Sequence, residues 1–382
     1  MKTPGKKFSK KSGHRSAVFA GGILILVCFA FALNCRSQDD TSWQKLKPWF
    51  SPPSNYKNVY GDFRDPMLFY NGKKVTSKRD WRKRREEIKD RWHGIMGAWP
   101  QLIEHPSYKI IDSTRRGAVM QYKVEIGWRA GETTVGYLLI PGIPGKKPAV
   151  LNVFYEPESG IGVTRPFIDY SWQLANRGFV TLSVGVDYLN KKKPFAQYYP
   201  DFDNPRVQPL SMLAYLASNC ANLLAHHSEV DSSRIGMIGF SYGSKWTMFT
   251  SCLNERFAAA VWIDGGIVFD DSKPNVNYWE PWYLGNKSPI AGDAYAALRQ
   301  KKMDLVELHA LMAPRPFLVS GGSEDSPDQW IALNHTIRVN KFLGFENRVG
   351  MHNRKEHTPN AEANEVIYAF FEHFLKFGSV RH

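Results

Sequence analysis

The chain has 382 residues, 43% hydrophobic and 14% aromatic, with a formal net charge of +14 at pH 7. Those values rule out a chain too short or too polar to bury a core, and the length allows one large domain with a lead-in or two modest ones. The charge is clustered, so it is not by itself the footprint of a nucleic-acid partner.

Residues 1–35 stand apart. A Lys-rich start is followed by an apolar run from Ala17 to Leu33 and then by polar sequence, which is the layout of an export signal. The run lies at the low limit for a membrane helix. Two outcomes stay open: a cleaved signal with Ala30 to Ala32 as the peptidase site, or an uncleaved N-terminal anchor that attaches the protein to a membrane. Either way the expected location is exported: periplasmic, secreted or anchored facing outward. Residues 1–40 hold seven basic and two acidic side chains, a net +5 that belongs to targeting.

Residues 36–105 read as a Trp- and Pro-rich lead-in. It holds a short hairpin turning at Asn71-Gly72, then the basic stretch "KKVTSKRDWRKRREEIKDRW". In that stretch Ser77 and Asp80 have capping-box spacing, and Trp81, Arg84, Ile88, Trp92 and Ile95 recur at helical intervals. The spacing predicts an amphipathic helix with a Trp and Ile face packed on the body and a solvated basic face. The competing reading is a nucleic-acid or anionic-surface patch; no nucleic-acid partner is expected.

From 106 to 382 strands alternate with helices. "MQYKVEI" and "TTVGYLLIP" read as an antiparallel pair. "PAVLNVFY", "FVTLSVGV", "RIGMIGF", "AAAVWID", "RPFLVSGG" and "NRVGMHN" read as successive buried strands, with helices between most of them, notably over 208–228 and 242–254. This alternation predicts an α/β catalytic domain with a mainly parallel central sheet and helices on both faces.

"GFSYGSK", residues 239–245, is a G-x-S-x-G motif placed between an apolar run and a helical pattern. A strand-turn-helix of this kind is a nucleophile elbow, where glycines spare the sharp turn any side-chain collision. Ser241 is the candidate nucleophile, and a serine needs a base and an orienting acid. The strand ends supply Asp264 and Asp325 as acids, with Glu324 and Asp328 near the latter, and His352 and His357 as bases. Chain order Ser, acid, His fits Ser241, Asp325 and His357; Asp264 is the alternative acid and His352 the alternative base. The oxyanion hole is expected from main-chain N–H groups of Tyr242 and of Tyr155 or Glu156.

The block from about residue 148 to the C-terminus resembles α/β-hydrolase serine esterases of the glucuronoyl-esterase-like and acetyl-xylan-esterase-like kinds. The residues that carry the likeness are "RIGMIGFSYGSKW", "AAAVWIDGG", "RPFLVSGGSED" and "HNRKEHTPNAEANEVIYAFFEHFL". The resemblance implies an α/β-hydrolase fold and an exported esterase acting through an acyl-enzyme on carbohydrate esters, glucuronoyl or acetyl. It implies that the acid often stands at the earlier strand, where Asp264 is. It further implies that Lys245 contacts the sugar of a uronate, while Tyr242 stands where such enzymes commonly carry Arg. For Lys245 the competing reading is an ion pair with an acid such as Asp264 or Glu280 that holds the insertion. The aromatic run "VNYWEPWYLG", with Trp279 and Trp282, suggests a substrate wall or lid above the strand ends. A prolyl-oligopeptidase-like peptidase is the second enzyme reading, weakened by a lead-in too short for a gating domain. A non-catalytic binding protein on the same fold is the third.

Cys28 and Cys35 fall in the export segment. Cys220 and Cys252 lie on predicted helices, and whether they pair is not legible. His226 and His227 lack further ligands at useful spacing, and His309 and His335 sit in helical patterns as structural residues. No metal and no cofactor are expected; the expected partner is an ester substrate, small or polymeric.

Overall fold

The computed structural model describes residues 1, 2, 4, 5, 41–187 and 197–377. Nearly all of the expected export segment, with Cys28 and Cys35, lies outside them. Among the described residues no helix is long and apolar enough to cross a membrane.

Nine strands form one sheet: β1 (Tyr108–Arg116), β2 (Val119–Arg129), β3 (Glu132–Pro141), β4 (Lys147–Phe154), β5 (Val180–Gly185), β6 (Val230–Phe240), β7 (Ala259–Ile263), β8 (Phe317–Gly321) and β9 (Val349–Asn353). Their spatial order is β1-β2-β3-β5-β4-β6-β7-β8-β9. The first three and β5 pair antiparallel; β5-β4-β6-β7-β8-β9 is parallel throughout. The expected mainly parallel sheet is present. Its central strands were legible because both faces are covered, which demands unbroken apolar runs. β1 was not legible: it is an exposed edge strand reading "YKIIDSTRR", and the charges that protect such an edge also erase the apolar pattern.

The alternation of side chains divides the core in two. Leu151 and Val153 of β4, Met237 of β6, Trp262 of β7 and Val319 of β8 join one cluster; Val150, Ile238, Val261 and Leu318 from the same strands join the other. The first face is covered by α1 (Lys78–Met96), α3 (Pro209–His226) and α4 (Tyr242–Leu253). The second carries α2 (Tyr170–Asn176), α8 (Ala361–Phe371) and the lead-in residues Leu46 and Phe50. Between α4 and α8 lie α5 (Ala294–Gln300), α6 (Leu305–Ala310) and α7 (Trp330–Leu343).

The basic helix is α1, capped by Ser77, whose Oγ accepts from the Asp80 N–H at 3.1 Å. Trp81, Ile88 and Trp92 are buried on its inner face. Each Trp contributes up to about 5 kcal/mol of transfer free energy at roughly 25 cal/mol per Å². The expectation of a purely solvated basic face needs correction. Arg84 and Arg85 share the buried face: Arg84 bonds Glu307, Glu87 and the Pro66 carbonyl, while Arg85 donates to the Leu311 and Ala313 carbonyls at 2.7 and 2.8 Å. Two of the cations that make the stretch look like a surface patch therefore anchor the lead-in. The Asn71-Gly72 turn is present, closed by a single antiparallel bridge between Leu68 and Lys74. Cys220 and Cys252 are buried free thiols.

Candidate active site

β6 ends at Phe240 and α4 begins at Tyr242, so the chain must reverse at Ser241. It does so with φ at +53°, a region that side-chain-bearing residues rarely occupy. A Cβ at Gly239 would lie 2.2 Å from the Gly243 carbonyl oxygen, and one at Gly243 would lie 2.0 Å from that of Val153. Both glycines are thus dictated by close backbone approach. The Ser241 N–H donates to the Ile263 carbonyl at 2.8 Å, tying the turn to the end of β7.

His357 follows β9 in the loop before α8. Its Nε2 stands 2.9 Å from Ser241 Oγ and its Nδ1 2.7 Å from Asp264 Oδ2. Ser241, His357 and Asp264 therefore form one hydrogen-bonded chain, with Asp264 fully buried and the imidazole partly open to solvent. The first-choice acid, Asp325, is corrected by this geometry. Its carboxylate points instead at the amides of Ile267 and Gly266, at 2.7 and 3.2 Å.

The reason is a reciprocal exchange between two turns. Asp264 Oδ1 accepts the N–H groups of Gly322, Glu324 and Asp325 at 2.6, 3.1 and 2.9 Å. The "GGSED" turn that looked like the carrier of the acid is the amide cradle for the acid of the neighbouring strand. Asp325 in return pins the turn that follows Asp264. Burial, reinforced by the charge of Asp264, raises the Asp325 carboxyl to about 7.

His352 is not near this chain. It lies within β9 opposite Ser320, is buried, and stands edge-on to Trp49 at 5.7 Å. Burial lowers its pKa to about 3. The alternative base is excluded by position. Arg354 was missed by sequence reasoning: it donates to the Ser320, Gly321 and Thr358 carbonyls at 3.0, 3.1 and 3.0 Å and also to that of His357. It fixes the His-bearing loop to the end of β8. No sequence signal marks a lone Arg whose targets are main-chain carbonyls.

Tyr242 supplies the first amide of α4, one of those a helix leaves unused. Tyr155 and Glu156 form the turn from β4 into the single-turn helix Pro157–Gly160. The rings of Tyr155 and Tyr242 are 4.8 Å apart and those of Tyr242 and Tyr283 5.2 Å, while Phe240 packs 4.8 Å from His357. The Glu156 carboxylate is taken by Ser159, Thr164 and Arg165.

Lys245 holds the insertion, as the competing reading has it, but through a carbonyl and not an acid. Only 2% exposed, it turns inward, and its Nζ donates to the Asn275 carbonyl at 2.7 Å. Its ammonium lies 5.2 and 5.1 Å from the Tyr278 and Tyr283 ring centroids. Burial lowers its pKa to about 8 against the opposing pull of Asp325, Glu324 and Asp264. It bolts the aromatic insertion to the helix of Ser241. In that insertion Tyr278 is buried and donates to the Gly266 carbonyl at 2.8 Å, Trp279 is half-buried, and Trp282 is 41% exposed.

Asp264, Glu324 and His357 hold ligand-type atoms within 4.8 Å of one another. Each is already bonded: Asp264 as above, and Glu324 by Asn275 and Ser323 at 3.0 and 2.9 Å. An ion there would have to break the link between Asp264 and His357.

Comparison with known proteins is consistent with this architecture. A family model, BAAT / Acyl-CoA thioester hydrolase C terminal, matches residues 213–312, which include Ser241 and Asp264. A 4-O-methyl-glucuronoyl methylesterase of Podospora anserina is 22% identical over 213 residues; the match covers 54% of this chain and spans only 42% of that protein's length. A glucuronoyl esterase from Solibacter usitatus superposes with a TM-score of 0.65 at 16% identity, covering 82% of this chain and 99% of that one. A promiscuous CE15 esterase from the marine bacterial metagenome gives a TM-score of 0.67 at 16% identity, covering 83% and 98%. The fold is that of the α/β-hydrolases, and the chain resembles glucuronoyl-esterase-like proteins.

Proposed function

We propose that the protein is a serine esterase that cleaves carbohydrate esters through an acyl-enzyme. The observation that carries this reading is the bonded chain Ser241, His357, Asp264 at a positive-φ turn between strand and helix. Ser241 Oγ attacks the ester carbonyl while His357 Nε2 takes its proton. Asp264 accepts the Nδ1–H and stabilises the imidazolium. The N–H of Tyr242 and that of Tyr155 or Glu156 receive the developing oxyanion. His357 then protonates the departing alcohol, and water attacks the acyl-serine by the same route in reverse. Glucuronoyl esterases among the similar structures, and an esterase described as promiscuous, support an ester of a sugar polymer as substrate. The Lys-rich and apolar start of the chain supports an exported location.

A fluorophosphonate probe should label the wild-type protein at Ser241 and leave Ser241→Ala unmodified. An unlabelled wild type would favour the non-catalytic binding protein. A panel of acetyl, feruloyl and glucuronoyl esters, with an acyl-CoA thioester and a prolyl peptide as rivals, then assigns the acyl group. Turnover confined to the thioester or the peptide overturns the carbohydrate reading.

A further inference from the structure

The outer face of α1 plays no part in the reaction at Ser241. Lys78, Arg79, Arg82 and Lys83 lie on its first two turns, and all four are exposed. Lys78 with Arg82, and Arg79 with Lys83, are like charges four residues apart, an arrangement that destabilises a helix. Among the described residues none of the four forms an ion pair. The acids beside them are engaged elsewhere: Asp80 accepts from Thr76 at 2.9 Å, Glu86 pairs with Lys89 at 2.7 Å, and Glu255 is shared by Arg85 and Lys89. Repulsion of this kind is relieved by an anion supplied from outside.

Beside the first turn of α1 opens a cavity of about 500 Å³. Pro314, Leu343 and Phe345 give it apolar walls, and Lys78 and Arg82 line it as well. Pro314 lies just before β8 and Leu343 ends α7, so the cavity is at the end of the sheet where the parallel strands begin. Ser241, Asp264 and His357 follow the opposite ends. The five residues of β8, at roughly 3.3 Å each, put about 17 Å between the two.

The start of the chain arrives at the same end. Trp43 packs 5.2 Å from the ring of His373, which is 4.7 Å from that of Phe374 in the turn after α8. The Arg348 guanidinium lies 5.8 Å from Phe374 and 5.4 Å from Phe345, a wall of the cavity. The Lys-rich and apolar sequence of residues 1–35 therefore joins the body by this end, a few residues before Trp43.

The cations call for an anion, and the apolar recess decides which. A nucleic acid would need a free ring on which to stack a base; Trp81 is only 2% exposed, and Phe345 is already covered by Arg348. A phospholipid brings a phosphate for the cations and, joined to it, apolar carbons for the recess.

We propose that this end of the molecule is a membrane-docking surface. The exposed cations of α1 take the phosphates of anionic phospholipids, the recess between Pro314 and Phe345 admits the glycerol and upper acyl carbons of one of them, and Ser241 opens away from the bilayer. The proposal does not depend on the esterase reading.

The test mixes full-length protein with vesicles of equal parts phosphatidylglycerol and phosphatidylcholine, or of phosphatidylcholine alone, and reads the rate of lysine acylation by mass spectrometry. Phosphatidylglycerol vesicles should slow acylation of Lys78 and Lys83 severalfold, while Lys287, exposed on the insertion at the opposite end, keeps its rate. Phosphatidylcholine vesicles and soluble glycerol phosphate should protect neither. Each cation near an anionic bilayer adds roughly fivefold in affinity. Lys78→Ala/Arg79→Ala/Arg82→Ala/Lys83→Ala should therefore cut the preference for phosphatidylglycerol vesicles at least tenfold, with aryl acetate turnover within twofold of wild type; the wild-type footprint decides alone should that variant fail to fold. An unchanged preference in the variant, equal protection by both vesicle types, or protection of Lys287 instead overturns the proposal. Stronger protection by a DNA duplex at the same phosphate concentration overturns it in favour of a nucleic-acid patch.

Discussion

Asp264→Asn is the most discriminating single change. The three amides that converge on Oδ1 accept no substitute but an oxygen, so an Asn at 264 must direct its carbonyl into the cradle. Its NH₂ then occupies the place of Oδ2 and donates to His357 Nδ1. That bond holds the imidazole in the tautomer with a proton on Nε2, which cannot accept the Ser241 proton. A triad locked in the wrong tautomer loses roughly 10⁴ in kcat, or about 5.4 kcal/mol of transition-state stabilisation. Asp325→Asn keeps an acceptor for only one of the two amides and turns its NH₂ toward the other, a loss of about 1–3 kcal/mol of stability, and kcat should stay within tenfold. Steady-state hydrolysis of an aryl acetate by both variants checks this, with circular dichroism to show that each is folded. A larger loss in Asp325→Asn than in Asp264→Asn would refute the assignment of Asp264.

His357→Ala should abolish turnover by roughly 10⁵ or more, whereas His352→Ala, away from the site, should change kcat less than tenfold; the same assay decides. Lys245→Met should impair acetyl and glucuronoyl esters by similar factors, because the buried ammonium holds the insertion; a selective rise in KM for the glucuronoyl ester would show it reaching the sugar. Because the Asp325 carboxyl titrates near 7 when folded and near 4 when unfolded, the native state binds the extra proton between those values, so its stability falls as pH rises through that window. Asp325→Asn removes that dependence, and its melting temperature relative to wild type should rise between pH 5 and pH 8. A pH-independent difference would count against the buried carboxylate as the source.

Ser241 and His357 were legible because their settings leave a local trace. The elbow needs glycine at 239 and 243, and the histidine loop precedes a long closing helix. The acid left no such local trace, and only the resemblance pointed to the earlier strand where Asp264 stands. "WIDGG" and "SGGSED" are both aspartate-bearing glycine turns at strand ends, and nothing within either tells whose amides will face whose carboxylate. That is settled only by the pairing of β7 with β8, which sets the two turns side by side. Lys245 was misplaced for a related cause: one helical turn beyond the serine was correct, but the azimuth that sends its side chain under the insertion depends on Tyr278 and Tyr283 packing there. The central strands were plain from their apolar runs, and the edge strand β1 was hidden by its charges.

The insertion between β7 and β8 is seated by buried side chains such as Val276, Tyr278 and Leu284, and several of its further fastenings run through main-chain atoms. Lys245 grips the Asn275 carbonyl, the Asp325 carboxylate grips the amides of residues 266 and 267, and Gln208 donates to the Asn286 and Gly292 carbonyls at 3.2 and 2.7 Å. Fastenings of that kind are blind to side-chain identity. The segment can therefore be treated as an exchangeable cassette: a transplant that preserves those carbonyls and amides, together with the buried Val276, Tyr278, Tyr283 and Leu284, would dock on the same three side chains while presenting a different outer surface. Libraries confined to Trp279 and Trp282 are expected to shift selectivity across the ester panel if those rings wall the site, and to leave it unchanged if they serve only the insertion.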